Sequence, residues 1–258
     1  MENNVLNKNP YTSNLIHNYF FETQQKKITK LFLCKKISIF YIKNTAIFFL
    51  FLINLIIFKL FSKKSNIDFE KEIYLIDIFF FVDKIIEDGF FRDRYFPGLY
   101  KALETHKKEY IFLPRLYGLG KSPLKFYKLL RILNNDKRNK FLFEYELLSI
   151  LDILRIAVFI ATYPIKQFNL IQQENSWLDK LFNYELFDVL PNPHFEAYTR
   201  YLSGKKISKM LSSNSKVISW QEFQNLEKTF YRAIRESNSK IIIYGCELLV
   251  KYKLYLSM

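Results

Sequence analysis

The chain has 258 residues, half of them hydrophobic and 18% aromatic, so it can bury a large core and is not a disordered chain. Its formal net charge of +14 suits an anionic partner, but no nucleic-acid-binding motif accompanies the charge, and we expect no nucleic-acid partner. The two cysteines, Cys34 and Cys246, suggest neither a disulfide framework nor a metal site, which suits a reducing cytoplasm.

Residues 1–64 are predicted to form a basic, apolar helical arm next to a membrane. They contain ten lysines and two glutamates, and residues 44–58 form an apolar run without a charge. That run is shorter than the ~20 residues that span a bilayer, and Asn54 lies inside it. Three interpretations stay open: a helix lying on anionic lipid at the cytoplasmic face, a single span, or a helix buried against the following domain.

Residues 65–258 are predicted to form a Rossmann-like α/β domain. The apolar run at 72–81 is rich in β-forming residues and predicts a strand buried on both faces. A polar and aromatic loop over 83–96, a helix over 97–106 and a strand over 110–113 are expected to follow.

Ser122 and Pro123 predict the N-cap and the first residue of the next helix. Residues 144–162 predict a long core helix that ends at Tyr163 and Pro164. The remaining predicted elements are helices over 176–190 and 194–211, a strand over 216–219, a helix over 219–236 and a strand over 240–244. Gly204 is expected to interrupt the second of these helices. Strands that alternate with helices predict a parallel sheet of Rossmann-like type flanked by helices.

Two arginines lie just beyond the carboxyl end of the first predicted strand, where α/β sheets bind ligands. Arg92 and Arg94 flank Asp93 there, and they could bind a phosphate or a sugar carboxylate through paired hydrogen bonds. A solvated loop, or a structural ion pair with Asp93, explains the same residues.

Trp220 and Glu222 lie beyond the carboxyl end of a later predicted strand. The Glu222 carboxylate could act as a base or bind sugar hydroxyls, and Trp220 could stack on a sugar ring. Alternatively, Ser219 and Glu222 form a capping box, Ser-x-x-Glu, with a purely structural role. Both interpretations stay open.

Three groups of residues resemble the N-terminal half of GT-B-like glycosyltransferases that assemble bacterial surface polysaccharides such as O-antigen or capsule. They are Ile73–Phe81 with 91–100, then 110–114, and then 217–224 with Arg232, Arg235, Tyr244 and Gly245. The resemblance covers residues 72–256. It implies an inverting transfer to a polysaccharide or lipid-linked sugar acceptor, with Glu222 as the catalytic base. The residues implied to contact substrate are Arg92, Arg94, Trp220, Gln224 and Arg232.

GT-B enzymes hold the nucleotide-sugar donor mainly in a C-terminal domain. The resemblance therefore implies that this chain is the acceptor-side half, truncated or working beside a partner chain that supplies a donor domain. No metal or resident cofactor is expected, because His17, His106 and His194 have no metal-ligand spacing, and a nucleotide-sugar is implied if the chain is active. The expected location is the cytoplasmic face of the inner membrane, with a single-span protein as the alternative. A non-catalytic, membrane-associated scaffold is the alternative function, so catalysis itself stays open.

Overall fold

The computed structural model describes residues 30–63, 66–96, 98–169, 194–220 and 225–246, together with residues 179, 183, 186 and 190. Within these residues the strands are β1 (Ile73–Phe81), β2 (Glu109–Tyr117), β3 (Lys216–Trp220) and β4 (Ile242–Cys246). They form one sheet in the order β2-β1-β3-β4, and every pairing is parallel. The predicted α/β class, with a Rossmann-like parallel sheet flanked by helices, is confirmed.

The described helices lie before and between these strands. They are α1 (Lys30–Phe61), α2 (Val82–Asp88), α3 (Leu99–Thr105), α4 (Pro123–Asn135), α5 (Glu144–Leu147), α6 (Ile150–Phe168), α7 (His194–Met210) and α8 (Asn225–Ser237). Because β1 pairs with β2 on one side and with β3 on the other, the chain reverses its direction of travel across the sheet beside β1. Such a reversal opens a crevice at the carboxyl ends of the two strands, and α/β proteins bind ligands there.

β1 is an inner strand of the sheet, and its alternating side chains enter two hydrophobic clusters. Ile76, Ile78 and Phe80 pack in one cluster with buried residues of α1, α2 and α4, whereas Ile73 and Leu75 pack in the other with buried residues of α7 and α8. Each buried side chain of this size stabilises the fold by about 1.5–3 kcal/mol. A strand covered on both faces must be apolar throughout, which is why residues 72–81 were recognisable.

α1 is apolar on two opposite faces. At 100° per residue, its large exposed apolar side chains other than Phe61, the last residue of the helix, fall within about 60° of the helix circumference, and its large buried ones lie opposite them. The exposed set, called the α1 stripe below, is Leu31, Ile42, Phe49, Ile53, Ile56 and Leu60, and the buried set is Phe40, Phe51, Leu55 and Phe58. By length and composition Leu31–Phe61 is able to cross a membrane. Only 28% of its most apolar stretch is buried in the protein, whereas the core helix of a soluble protein is mostly buried. The helix is therefore compatible with membrane association.

Contacts between residues divide the chain into two compact units. One unit comprises residues up to Ile47 together with Ala157–His194, and the other comprises Phe48–Ile156 and Phe195–Met258. The second unit contains the whole sheet. In it, Phe58 of α1 packs against Phe143, with ring centroids 5.5 Å apart. The boundary at residue 64 stays a prediction.

Several local predictions were wrong. The first half of the predicted loop over 83–96 is helix α2, which follows β1 directly and ends at Gly89 in the left-handed conformation. α6 continues through Pro164 to Phe168, so the proline does not end it. α7 is not interrupted at Gly204; a Cβ there would lie 2.9 Å from Phe230 and from Ala233, so the glycine allows α7 and α8 to approach closely.

Other local predictions depended on capping. The hydroxyl of Ser122 accepts a hydrogen bond from the backbone N–H of Lys125, and Pro123 is the first residue of α4, as predicted. The capping box with Ser219 was wrong, because Ser219 lies in β3 and its hydroxyl donates to Asp77 Oδ2 at 2.8 Å. The helix predicted over 176–190 falls mostly outside the described residues.

Candidate ligand site at the carboxyl edge of the sheet

The loop between α2 and α3 borders the carboxyl end of β1, and Asp93 holds its shape. The Asp93 carboxylate accepts hydrogen bonds from the backbone N–H groups of Tyr95 and Phe96, at 2.9 and 3.0 Å, and from the hydroxyl of Tyr100. Burial and this carboxylate raise the pKa of Tyr100 well above its usual value. Asp93 therefore stabilises the conformation of the loop, and the side chains of Arg92 and Arg94 face solvent.

Arg92 and Arg94 are both exposed at this edge. The closest contact of Arg94 to an acid is 3.9 Å, to Asp88 Oδ2, and no described carboxylate lies within ion-pair distance of Arg92. Both side chains line a small cavity with Lys84, Asp88 and aromatic residues at the ends of β1 and α2. The cavity volume is about 10 Å³, which is room for about one water molecule. The arginines therefore present donors on an open surface and not inside a formed pocket.

Aromatic side chains join the carboxyl ends of neighbouring strands. The ring of Tyr95 lies 4.5 Å from that of Trp220 in β3 and 6.0 Å from that of Phe81 in β1, nearly parallel to the latter. Tyr117, at the end of β2, contacts Phe81 edge to face. The loop that contains Arg92 and Arg94 and the end of β3 thus meet at the crevice where the strand order reverses.

The predicted site residues are only partly brought together. Trp220 is near the arginine loop, but it is 7% exposed and Tyr95 and Phe96 pack against its indole, so no open ring face is available for a sugar in this structure. Glu222 and Gln224, which follow β3, lie outside the described residues. The predicted roles of these three residues stay predictions.

Arg232 lies apart from the arginine loop. It belongs to α8, seven residues after the first residue of that helix, and at 1.5 Å per residue it is about 10 Å further along the axis. A helix that connects two parallel strands runs from the carboxyl edge back toward the amino edge, so Arg232 moves away from the crevice. Its Nε donates to Glu236 Oε1 at 2.7 Å on an exposed surface.

A buried charged cluster below this edge was not predicted. Arg115 of β2 pairs through Nη1 with Glu227 Oε1 at 2.7 Å and places Nε 3.2 Å from Asp77 Oδ1 of β1. Arg200 of α7 pairs with the same Asp77 oxygen and, at 2.7 Å, with Glu144 Oε1. We call these five residues the buried ion cluster.

Further contacts fix the two arginines of the buried ion cluster. Arg115 Nη2 donates to the backbone carbonyl of Trp220, and its guanidinium lies 4.2 Å from the ring centre of Phe79. The guanidinium of Arg200 lies 4.3 Å from the ring centre of Phe230. Burial alone would lower the pKa of Arg200, but the carboxylates of Asp77 and Glu144 raise it above its usual value. The two arginines therefore tie three helices (α5, α7 and α8) and three strands (β1, β2 and β3) together.

The sequence contained one signal for this cluster. Asp77 interrupts an otherwise apolar strand, and a carboxylate in a strand buried on both faces needs a cationic partner. The partners come from distant parts of the chain, so the sequence does not identify them. Among the described residues, no group of three or more His, Cys, Asp or Glu side chains is arranged to hold a metal ion.

Comparisons of the chain with protein family models, with curated proteins and with solved structures found no match.

Proposed function

We propose that this protein is the acceptor-side half of a glycosyltransferase-like system for bacterial surface polysaccharide, and that it works at the cytoplasmic face of the inner membrane. The observation that supports it best is the pair of exposed arginines at the crevice between β1 and β3, on a loop that Asp93 holds in place. Guanidinium groups bind phosphate and carboxylate through paired hydrogen bonds. The ligand of this surface is an acidic or phosphate-linked sugar acceptor.

In this proposal a partner chain with a donor domain supplies the nucleotide-sugar. Glu222 would take the proton from the acceptor hydroxyl as transfer begins, and Trp220 and Gln224 would border the acceptor. Glu222 follows β3, whose carboxyl end lies beside the arginine loop. Arg232 is assigned a weaker contact with an extended acceptor, since it lies further along α8 and is paired with Glu236.

Membrane attachment through α1 belongs to the same proposal. Buried residues of α1, among them Phe51 and Phe58, pack in the unit that contains the sheet, so this part of the helix is not surrounded by lipid on all sides. The opposite face, the α1 stripe, is free to enter the interface. Exposed Lys43 and Lys59 lie about 100° to either side of this stripe, in position to reach lipid phosphates. These features favour a helix lying in the membrane plane over a single span.

The arginine pair is tested by complementation in a strain that lacks the gene. Arg92→Ala with Arg94→Ala is expected to lower surface polysaccharide at least tenfold, measured against the amount of the protein in the membrane fraction. The matched control is Lys137→Ala with Arg138→Ala, which removes two exposed cations from the turn after α4. Wild-type polysaccharide from the Arg92 and Arg94 variant would contradict the proposed acceptor surface.

Two observations favour the alternative, a non-catalytic membrane scaffold. The cavity beside the arginines holds about one water molecule, and each carboxylate of the buried ion cluster is already paired with an arginine. Glu222→Gln distinguishes the two functions. Loss of polysaccharide with unchanged thermal unfolding supports catalysis, whereas full production by this variant supports the scaffold.

A further inference from the structure

α6 has an apolar stripe that no described part of the protein covers. Its exposed apolar residues include Leu154 and Val158, which are 56% and 60% exposed. At 100° per residue, the large side chains of the stripe fall within about 60° of the helix circumference. The α6 stripe consists of Leu151, Leu154, Val158 and Ile165, with the small exposed Ala161 beside it.

The opposite face of α6 is buried. Asp152, Ile156, Ile160 and Pro164 are buried there, about half a turn away from the stripe. A helix at the surface of a soluble protein normally has charged and polar residues opposite its buried face. α6 has apolar residues in those positions. This indicates that its exposed face contacts a partner other than water.

The charges around the stripe favour an anionic surface as the missing partner. Arg155 and Lys166 are exposed about 60° and 80° from Val158, at one border of the stripe. The one acidic residue of the helix, Asp152, is 2% exposed and pairs with Lys206 and with Arg155 at 3.2 Å. The exposed surface of α6 therefore combines apolar side chains with cations and has no exposed carboxylate.

α6 also packs against α1, the other helix with an exposed apolar stripe. Within the unit formed by residues up to Ile47 and Ala157–His194, the Tyr41 hydroxyl donates to the carbonyl of Ala161 at 3.0 Å. In the same unit the rings of Phe40 and Tyr163 stack with centroids 5.5 Å apart. The contact uses neither Ile42 of the α1 stripe nor Val158 of the α6 stripe, which are both exposed.

We propose that α6 is a second membrane-contacting helix, which lies in the interface of an anionic bilayer. The α6 stripe enters the acyl region, and Arg155 and Lys166 contact lipid phosphates. From Leu151 to Ile165 the stripe is about 21 Å long at 1.5 Å per residue, the size of an in-plane anchor. The inference rests on the proposed membrane association and does not depend on the proposed glycan chemistry.

The test measures flotation of the purified full chain with vesicles of phosphatidylcholine and phosphatidylglycerol. Leu154→Lys with Val158→Lys is expected to reduce vesicle binding at least tenfold. Because the added charges strengthen attraction to anionic lipid, a loss of binding reports the lost apolar insertion. The matched control is Ser213→Lys with Asn214→Lys, two exposed positions in the turn before β3, which should bind vesicles at least as well as the wild type.

A second readout reports the depth of insertion. In a chain with Cys34→Ser and Cys246→Ser, an environment-sensitive dye attached through Val158→Cys should shift to the blue when vesicles are added. The same dye attached through Ser213→Cys should not shift. Val158 and Ser213 are exposed, so thermal unfolding of the two dye-labelled variants should match that of the chain with only Cys34→Ser and Cys246→Ser.

The outcomes together distinguish a failure of this inference from a failure of the membrane association on which it rests. If the wild type does not bind vesicles, both fail. If it binds, and Ile53→Lys with Ile56→Lys in the α1 stripe abolishes binding while the α6 variant still binds, only the role of α6 fails. If the α6 variant instead changes the mass of the protein in solution by light scattering, a second copy of the chain covers this stripe, and the inference is overturned.

Discussion

Two pairs of arginines in this protein have opposite environments. Arg115 and Arg200 are 7% and 3% exposed, and each contacts two carboxylates and the face of an aromatic ring. Arg92 and Arg94 are exposed, and the closest acid to either among the described residues is 3.9 Å away. The buried arginines use their donors to hold the fold together, whereas the side chains of Arg92 and Arg94 face solvent.

The largest expected effect comes from removing a buried arginine. Arg115→Ala leaves Glu227 without this cation and Asp77 with Arg200 alone, and all three of these residues are buried. Breaking a buried pair from one side typically costs about 3–5 kcal/mol. We expect a loss of that size in the free energy of unfolding, measured with urea.

An exposed arginine provides the control for that measurement. Arg232→Ala removes an exposed pair with Glu236, four residues away on the same helix, and should cost no more than about 0.5 kcal/mol. A cost below about 1 kcal/mol for Arg115→Ala would show that the buried ion cluster does not hold the strands and helices together.

The next largest effect is expected at Gly204, one turn after Arg200 in α7. Its missing Cβ lets α7 approach α8, where the guanidinium of Arg200 lies over the ring of Phe230. Gly204→Ala would place a methyl group 2.9 Å from Phe230 and Ala233, and overpacking of this kind costs about 1–3 kcal/mol.

Thermal unfolding checks the prediction for Gly204, with Gly204→Val as a larger side chain that should cost more. Alanine is the better helix former, so an exposed glycine in a helix would gain about 1 kcal/mol from the same change. A variant more stable than the wild type would contradict the close approach of α7 and α8.

A smaller effect is expected from a partly exposed ion group at the amino edge of the sheet. Hydrogen bonds from Lys108 and Lys216 lower the pKa of Glu72 from 4.5 to about 2. Because the unfolded chain then binds a proton at higher pH than the folded one, this stabilisation is lost as the pH falls from about 4.5 to 2.

Glu72→Gln should therefore reduce the loss of stability between about pH 5 and pH 2.5, by about 0.5–1 kcal/mol for a pair this exposed. Urea unfolding at both pH values measures it. Glu70→Gln is the control, because Glu70 is exposed on the same segment and has no described ion pair. Equal changes in the two variants would show that Glu72 contributes no more than Glu70 to the loss of stability at low pH.

Much of the fold could be predicted from local patterns. The apolar run of β1 and the Ser122-Pro123 start of α4 depend on neighbouring residues alone, so both were recognised. β2 was predicted too short, because Pro114 and Arg115 resemble the end of a strand. β2 is an edge strand of the described sheet, where a proline without an N–H is tolerated, and Arg115 is buried because Asp77 and Glu227 are its partners.

The candidate site was predictable only in part. The arginine loop and Trp220 were expected at one edge, since strands of a parallel sheet end together, and Tyr95 does join them. The same pattern could not show that the Trp220 ring is covered. The sequence pattern also could not show that Arg232 differs from Arg92 and Arg94: it lies further along α8 and is paired with Glu236.

The amino-acid sequence alone determined the parallel α/β class and the apolar character of α1, because periodicity and composition are properties of short segments. Only the tertiary structure decided which charges are buried, which apolar faces stay exposed on α1 and α6, and which glycine lets two helices approach closely. Those features depend on residues far apart in the chain, and only folding brings them into contact.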